Sequence, residues 1–395
     1  MEKNKSKKVD LLLPNDIILG KYKVIKPINK GGMDSYIYSA INTSLDTSLS
    51  TDAQIEQVVI KVVQRTPTMK EHNWTKFLEE LVTASRVRHA NLVQTYDVVT
   101  QKLEVLRNNR IVVLNDVAII VMESVDGPSL RNLLNTKGYF SVDEAMYYFK
   151  KIVLGIKRLH TYTHMIIHRD LKPENILLSK DLREIKILDF GISSSVIVEN
   201  FNFITITEEQ SLFGTVEYMS PDNLDFNIDP KTNKKIRKPP TPQFDFHSLG
   251  IILFEMLTGD KPFTKSSKDD KETIKKARLY DIPVMKGIRY DIPNSIDNIV
   301  FRCIASKIED LKYRYSNCDE LLSDIETYDQ PNRINEELLK PIASRVLERE
   351  DSFNPQFSKS KESWYYKKYL VVNCSLLFFL ITILVLVLTI VHFTK

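Results

Sequence analysis

Residues 167–175 read Ile167-His168-Arg169-Asp170-Leu171-Lys172-Pro173-Glu174-Asn175, and Asp189-Phe190-Gly191 follows a short distance downstream. The run is flanked by elements of different period. Before it, Ser141 and Glu144 have the spacing of a capping box, and Ala145, Phe149, Ile152, Ile156 and Leu159 recur at helical intervals, which predicts a long amphipathic helix. After it, residues 185–188 (IKIL) read as a strand ending at Asp189. A charged cluster held between a helix and a strand is the candidate chemical centre.

Upstream, the pattern changes to period two. Residues 22–28 (YKVIKPI) alternate apolar and polar, a Gly-Gly turn follows, and residues 36–40 resume as a second strand. Residues 58–63 (VVIKVV) read as a buried strand interrupted by Lys61, a charge that needs a partner. In the next element, residues 74–87, Phe77, Leu81 and Ala84 form a helical stripe that contains Glu80, so an internal Lys61–Glu80 ion pair is expected. Residues 117–122 are an apolar strand, with residues 123–127 as a connector. Strands first and helices later predict an α+β fold, a small β-rich lobe joined to a larger helical one.

Composition excludes several classes. Apolar residues make up 43% and charged residues 27%, which is globular and far from disordered or fibrous chains. Lys plus Arg number 55 against 51 Asp plus Glu, so no overall field draws the chain to nucleic acid, and none is expected as a partner. Cys303, Cys318 and Cys374 are too few and scattered for a disulfide framework or a paired-ligand zinc site.

The run from His168 to Asn175, followed by Asp189-Phe190-Gly191, resembles the serine/threonine protein kinases over residues 17–329. The resemblance implies a two-lobed protein kinase fold with ATP and Mg²⁺ as cofactors. It implies that Asp170 orients the attacking hydroxyl, Lys172 neutralises the γ-phosphate, and Asn175 and Asp189 hold Mg²⁺. Lys61 then grips the α- and β-phosphates while paired to Glu80, and Glu123 and Val125 in the connector line the nucleotide site. These residue types suit phosphoryl transfer, which needs positioning and charge neutralisation more than covalent help. Gly214-Thr215-Val216-Glu217-Tyr218-Met219-Ser220-Pro221-Asp222 is similar to the end of an activation segment, with Asp222 expected to pair with Arg314. Residues 245–250 (DFHSLG) resemble the start of the large lobe's central helix. Lys172 after Asp170 favours Ser/Thr acceptors on protein substrates.

The glycine loop departs from the family pattern. The nucleotide-covering hairpin is expected over Ile28, Asn29, Lys30, Gly31, Gly32, Met33, Asp34, Ser35 and Tyr36, and of the three patterned glycines only Gly31 is kept. Tyr36 stands where a valine usually roofs the adenine, and Asp34 brings an acid toward phosphate oxygens. A pseudokinase scaffold is the rival reading, although all of Lys61, Glu80, Asp170, Asn175 and Asp189 are present. Residues 42–57 and 225–243 read as exposed polar insertions.

Residues 369–391 carry no charge and span about 35 Å as a helix, enough to cross a bilayer. Lys359, Lys361, Lys367 and Lys368 precede them with Trp364, Tyr365 and Tyr366, while only His392 and Lys395 follow. The positive-inside bias therefore predicts a single-pass cell-membrane protein with its kinase domain in the cytoplasm. The expected divisions are a basic tail over 1–16, the kinase domain over 17–329, a juxtamembrane linker over 330–368 and a membrane helix over 369–393. Gly-Gly-Met at 31–33 and the single span resemble the eukaryotic-like kinases of bacteria, which implies autophosphorylation, with a homodimer to perform it, at Thr205 or Thr207.

Overall fold

Period-two alternation folds the first part of the chain into a closed antiparallel barrel. In the computed structural model the described residues are 11–30, 35–44, 56–67, 69–190, 216–228, 235–237, 239–263 and 283–330. The chain divides into two units, Met1–Leu338 and Leu339–Lys395, and every described residue lies in the first. The barrel strands are β1 (Ile17–Ile18), β2 (Tyr22–Lys30), β3 (Ser35–Asn42), β4 (Gln57–Gln64), β5 (Thr95–Arg107) and β6 (Arg110–Glu123), in the order β1-β2-β3-β4-β6-β5. Tyr36, Tyr38 and Ala40 lie opposite Val62, Ile60 and Val58, and all six are buried in the barrel core. β5 and β6 turn through Asn108 and Asn109, both at positive φ, a conformation that asparagine tolerates and that matches the twist of a tight hairpin.

At the barrel's seam Ile17 pairs with Leu106, and Arg107 donates from Nε and Nη2 to Asp16 at 2.9 and 2.6 Å. Leu12 is buried in the same core, its backbone N–H donating to the Tyr38 hydroxyl at 3.2 Å. Residues 11–16, expected in the basic tail, are thus packed into the small lobe. Helix α1 (Glu71–Ala84) buries Trp74, Phe77, Leu81 and Ala84, the stripe its spacing predicts.

The large lobe comprises α2 (Leu130–Lys137), α3 (Val142–His160), a two-stranded sheet of β7 (Ile176–Leu178) with β8 (Ile185–Ile187), then α4 (Gln243–Thr258), α5 (Asn294–Ile304) and α6 (Cys318–Glu326). Ser141 caps α3, accepting from the Glu144 backbone N–H at 3.2 Å as the capping box predicts. α4 is buried on every side from Phe244 to Thr258, as a helix apolar all round must be. Gly250 lets α5 approach it: a Cβ there would stand 2.7 Å from Cys303 Cβ. The insertion at 225–243, expected as a loop, contains a ribbon of β9 (Phe226–Ile228) and β10 (Lys235–Arg237).

Arg314 reaches Asp222 at 2.7 Å, as expected, and both side chains are largely buried. Arg314→Leu leaves Asp222 without that counter-charge. The expected loss is about 3 kcal/mol, the cost of breaking one half of a buried pair, read as a lowered denaturant midpoint.

Candidate functional site

The site is built on the loop between α3 and β7. Asp245, fully buried at the first turn of α4, accepts the backbone N–H groups of His168 and Arg169 at 2.9 Å each. These bonds hold Arg169 at a φ of 66°, a left-handed conformation unfavourable for a non-glycine residue and sustained by its surroundings. Asp170 follows directly. Lys172 Nζ lies 3.0 and 2.8 Å from its two carboxylate oxygens, and Asn175 Nδ2 donates to the Asp170 carbonyl at 2.8 Å and to Oδ2 at 3.1 Å. The loop is tied to the segment before Asp189 twice: the His168 ring Nε2–H donates to the Leu188 carbonyl and the Leu188 N–H to the Asn175 carbonyl, both at 2.8 Å. Asp170, Lys172, Asn175 and Asp189 therefore come together as expected.

Lys61 on β4 arrives from the small lobe, but with a different partner from the expected one. Its Nζ is 2.6 Å from Asp189 Oδ1, and no ion pair within 4.0 Å joins it to Glu80. Burial opposes the charge on Asp189, yet Lys61 holds its carboxyl below the usual range, with His168 and Lys172 adding to the effect. Glu80, half-buried on α1, has its carboxyl pushed up by burial, against the pull of Arg169 and Lys76. Arg169 is itself destabilised as a cation by burial, is drawn electrostatically to Glu80 and Asp245, and leaves its Nε without a hydrogen-bond partner. Two acids and two bases are thus matched crosswise, Lys61 with Asp189 and Glu80 toward Arg169. Between α1, β6 and Phe190 lies a cavity of about 20 Å³ lined by Leu81, Ala84, Ile120 and Met122, room beside the helix that carries Glu80.

The nucleotide-covering hairpin is described only in part, since Gly31, Gly32, Met33 and Asp34 lie outside the described residues. Ile28 is exposed on β2, Asn29 and Lys30 pair with Ile37 and Tyr36 across the ladder, and Ser35 is buried at the start of β3. The register moves one assignment. Ile37 lies opposite Lys61, whereas Tyr36 lies opposite Val62 and faces the barrel core. Strand side chains alternate faces, so Ile37 and not Tyr36 shares the Lys61 face, beside half-buried Val59. At the lobe junction Glu123 ends β6, bonded to Lys186 at 2.9 Å and accepting the Gln94 N–H at 3.1 Å, and half-buried Val125 follows in the connector. Below the site, Arg131 of α2 binds Glu255 of α4 at 2.8 Å and Glu174 at 2.7 Å, linking the loop's far end to the lobe core.

Residues 47–346 match the model of the protein kinase domain family. The chain is 47% identical to a protein of Mycoplasma genitalium that carries a serine/threonine-protein kinase name, over 96% of this chain and 98% of that one. It is similarly 47% identical to a like-named protein of Mycoplasma pneumoniae, over 96% and 95%. With the serine/threonine-protein kinase PrkC of Bacillus subtilis the identity is 29%, over 81% of this chain and 42% of PrkC.

Proposed function

The chain belongs to the protein kinase domain family and is a serine/threonine protein kinase using ATP and Mg²⁺, and on that premise we propose the role of each site residue, its membrane anchoring and its self-modification. The observation that carries the reading is the clamped loop at Asp170, with Lys172 and Asn175 on its carboxylate and Asp189 tied alongside. Asp170 orients the acceptor hydroxyl and takes its proton, Lys172 meets the γ-phosphate, and Lys61 meets the α- and β-phosphates. The donor chemistry fits the metal: Asp189 offers an ionised carboxylate and Asn175 a carboxamide oxygen, the hard ligands Mg²⁺ prefers. Bound there, Mg²⁺ supplies neutralisation of phosphate charge. Ile37 and Val59 present the apolar surface beside Lys61 on which a base can rest.

Incubating the full chain with Mg²⁺ and labelled ATP, alone and with a basic protein rich in Ser and Thr, tests the reading. Label should appear in both proteins. Nucleotide binding without transfer would favour the scaffold reading, against which the presence of Lys61, Glu80, Asp170, Asn175 and Asp189 already speaks.

The anchoring proposal rests on sequence, because residues 331–395 lie outside the described residues. Among the described residues no helix is long and apolar enough to cross a membrane. The uncharged run at 369–391 and the lysines before it support a single span with residues 1–368 in the cytoplasm. Truncation after Glu362 is expected to move the kinase from the membrane pellet to the supernatant. Protease added outside intact cells should leave the kinase domain whole, and its digestion there would reverse the topology.

A further inference from the structure

Asp245, Ser248 and Glu255 have the spacing of residues on one face of α4. Asp245 carries the backbone of the loop before Asp170, and the Ser248 hydroxyl bonds the Tyr218 carbonyl at 2.8 Å. Glu255 is buried and accepts from the Tyr218 hydroxyl, from Arg131 Nη1 at 2.8 Å and from Arg131 Nη2 at 3.2 Å. Arg131 also donates from Nη2 to the Tyr218 hydroxyl and from Nε to Glu174 at 2.7 Å. Glu174 lies between Lys172 and Asn175, the two residues bonded to the Asp170 carboxylate. The Glu174 side chain stays 43% exposed and that of Arg131 20%, so this site opens to the surface beside the loop that carries Asp170. Next to Tyr218, Glu217 is paired with Lys261, whose Nζ stands 5.1 Å from the centre of the Tyr218 ring.

Arg131 shows what Glu174 and Glu255 are arranged to hold. A guanidinium is a planar fork of N–H donors that matches a carboxylate with two parallel bonds. Arg131 meets Glu255 in that manner while its Nε–H reaches Glu174. Burial opposes the charge on Arg131, yet Glu255, Tyr218 and Glu174 hold its pKa above the usual range. Two acids beside the loop are therefore engaged by an arginine of the same chain. A tethered partner acts at an effective concentration of about millimolar or more and competes with any base that a substrate brings. A substrate arginine would have to displace Arg131, making one set of ion pairs by breaking an equivalent one.

We propose that Arg131 determines substrate specificity: by filling the Glu174–Glu255 site from within the chain, it leaves the enzyme without a preference for arginine or lysine beside the acceptor hydroxyl. The proposal rests on the assignment of Asp170, given above, as the residue that meets that hydroxyl. The substrate class is Ser/Thr segments with no required basic neighbour. Without Arg131 the two acids take a guanidinium from the substrate instead, and the enzyme turns toward arginine-bearing segments.

The test uses the full chain in detergent micelles and a peptide set in which one arginine is stepped through the positions on either side of a central threonine, with a neutral parent. For the native enzyme, kcat/KM should stay within about twofold of the parent at every position. Arg131→Ala should raise kcat/KM at one position about tenfold over the parent, the scale of one charge-assisted hydrogen bond, with KM for ATP unchanged. Arg131→Ala/Glu174→Gln, lacking one of the two acids, should lose most of that rise. Arg131→Ala also leaves Glu255 buried without its counter-charge and lowers the unfolding midpoint. Binding is therefore read as well: the arginine peptide should raise the variant's midpoint more than the parent peptide does. A native enzyme that prefers arginine at any position would overturn the proposal, whether or not the variant folds. A flat profile in folded Arg131→Ala would also overturn it, as would a loss equal for all peptides, which a merely structural arginine gives. Asp170→Asn, run alongside, separates the two readings. Transfer surviving there removes the assignment of the acceptor site, whereas its loss together with a flat Arg131→Ala profile removes only the specificity claim.

Discussion

Asp170→Asn is expected to lower kcat at saturating ATP and protein substrate by at least about 10²-fold, the scale of removing one preorganised electrostatic group. The carboxamide matches the carboxylate in size, and its oxygen can still accept from Lys172 or Asn175, so the loop remains seated on Asp245. What disappears is the charge and the proton acceptor. Thermal unfolding of the variant should therefore stay near native while transfer of label from ATP collapses. Lys61→Met is expected to lose activity on the same scale, but with a different signature. Lys61 is the bonded counter-charge of Asp189, so its removal leaves that half-buried carboxylate without it, raises its pKa and lowers the unfolding midpoint. Transfer surviving in both variants would refute the mechanism.

A Thr205→Ala/Thr207→Ala double variant is expected to lose activity toward added protein by about 5- to 150-fold, the range of ordinary coupling free energies, while keeping ATP binding. Both threonines lie outside the described residues, and the argument starts from the crosswise pairing at the site. Arg169 is buried with Nε unbonded, and Glu80 and Asp245 are the acids that compensate its charge electrostatically. A phosphate on either threonine adds about 1.5 to 2 negative charges and is the stronger partner for a guanidinium. Engaging Arg169 in this way is expected to release Glu80 toward Lys61, so that the pairing expected from the sequence would be reached in a phosphorylated enzyme. Phosphopeptide mapping of the active protein should find the modification. An active enzyme unmodified across residues 191–215 would exclude it.

The chemical centre was legible because its residues follow one another along the chain. His168, Asp170, Lys172 and Asn175 sit on one loop, and a capped helix before them fixes where it starts. The Lys61 partner was not legible, since the choice between Glu80 and Asp189 depends on how α1 lies against the barrel, which helical periodicity does not encode. The Tyr36 assignment failed for a related reason. Counting along a glycine pattern fixes spacing, but the face a side chain takes follows strand register, and one step reverses it. β5 escaped notice because register shifts between Thr95 and Asp97 and between Gln101 and Lys102 interrupt its alternation, with Gln101 at a φ of 77°.

Joining Ile17 to Leu106 also has a consequence for how the protein is made. The seam strand cannot find its last neighbour until residue 106 has been synthesised, and at roughly 5 to 20 residues per second that delay is on the order of 5 to 20 seconds. During it, Leu12 and Ile18 lack the β5 side of their core, and the edge of β1 is open to other chains. Arg107, the residue that locks Asp16, is the last residue of the strand that completes the seam. Nascent chains stalled before Leu106 should therefore be the aggregation-prone species, and those extended past Glu123, with β6 in place between β4 and β5, should not.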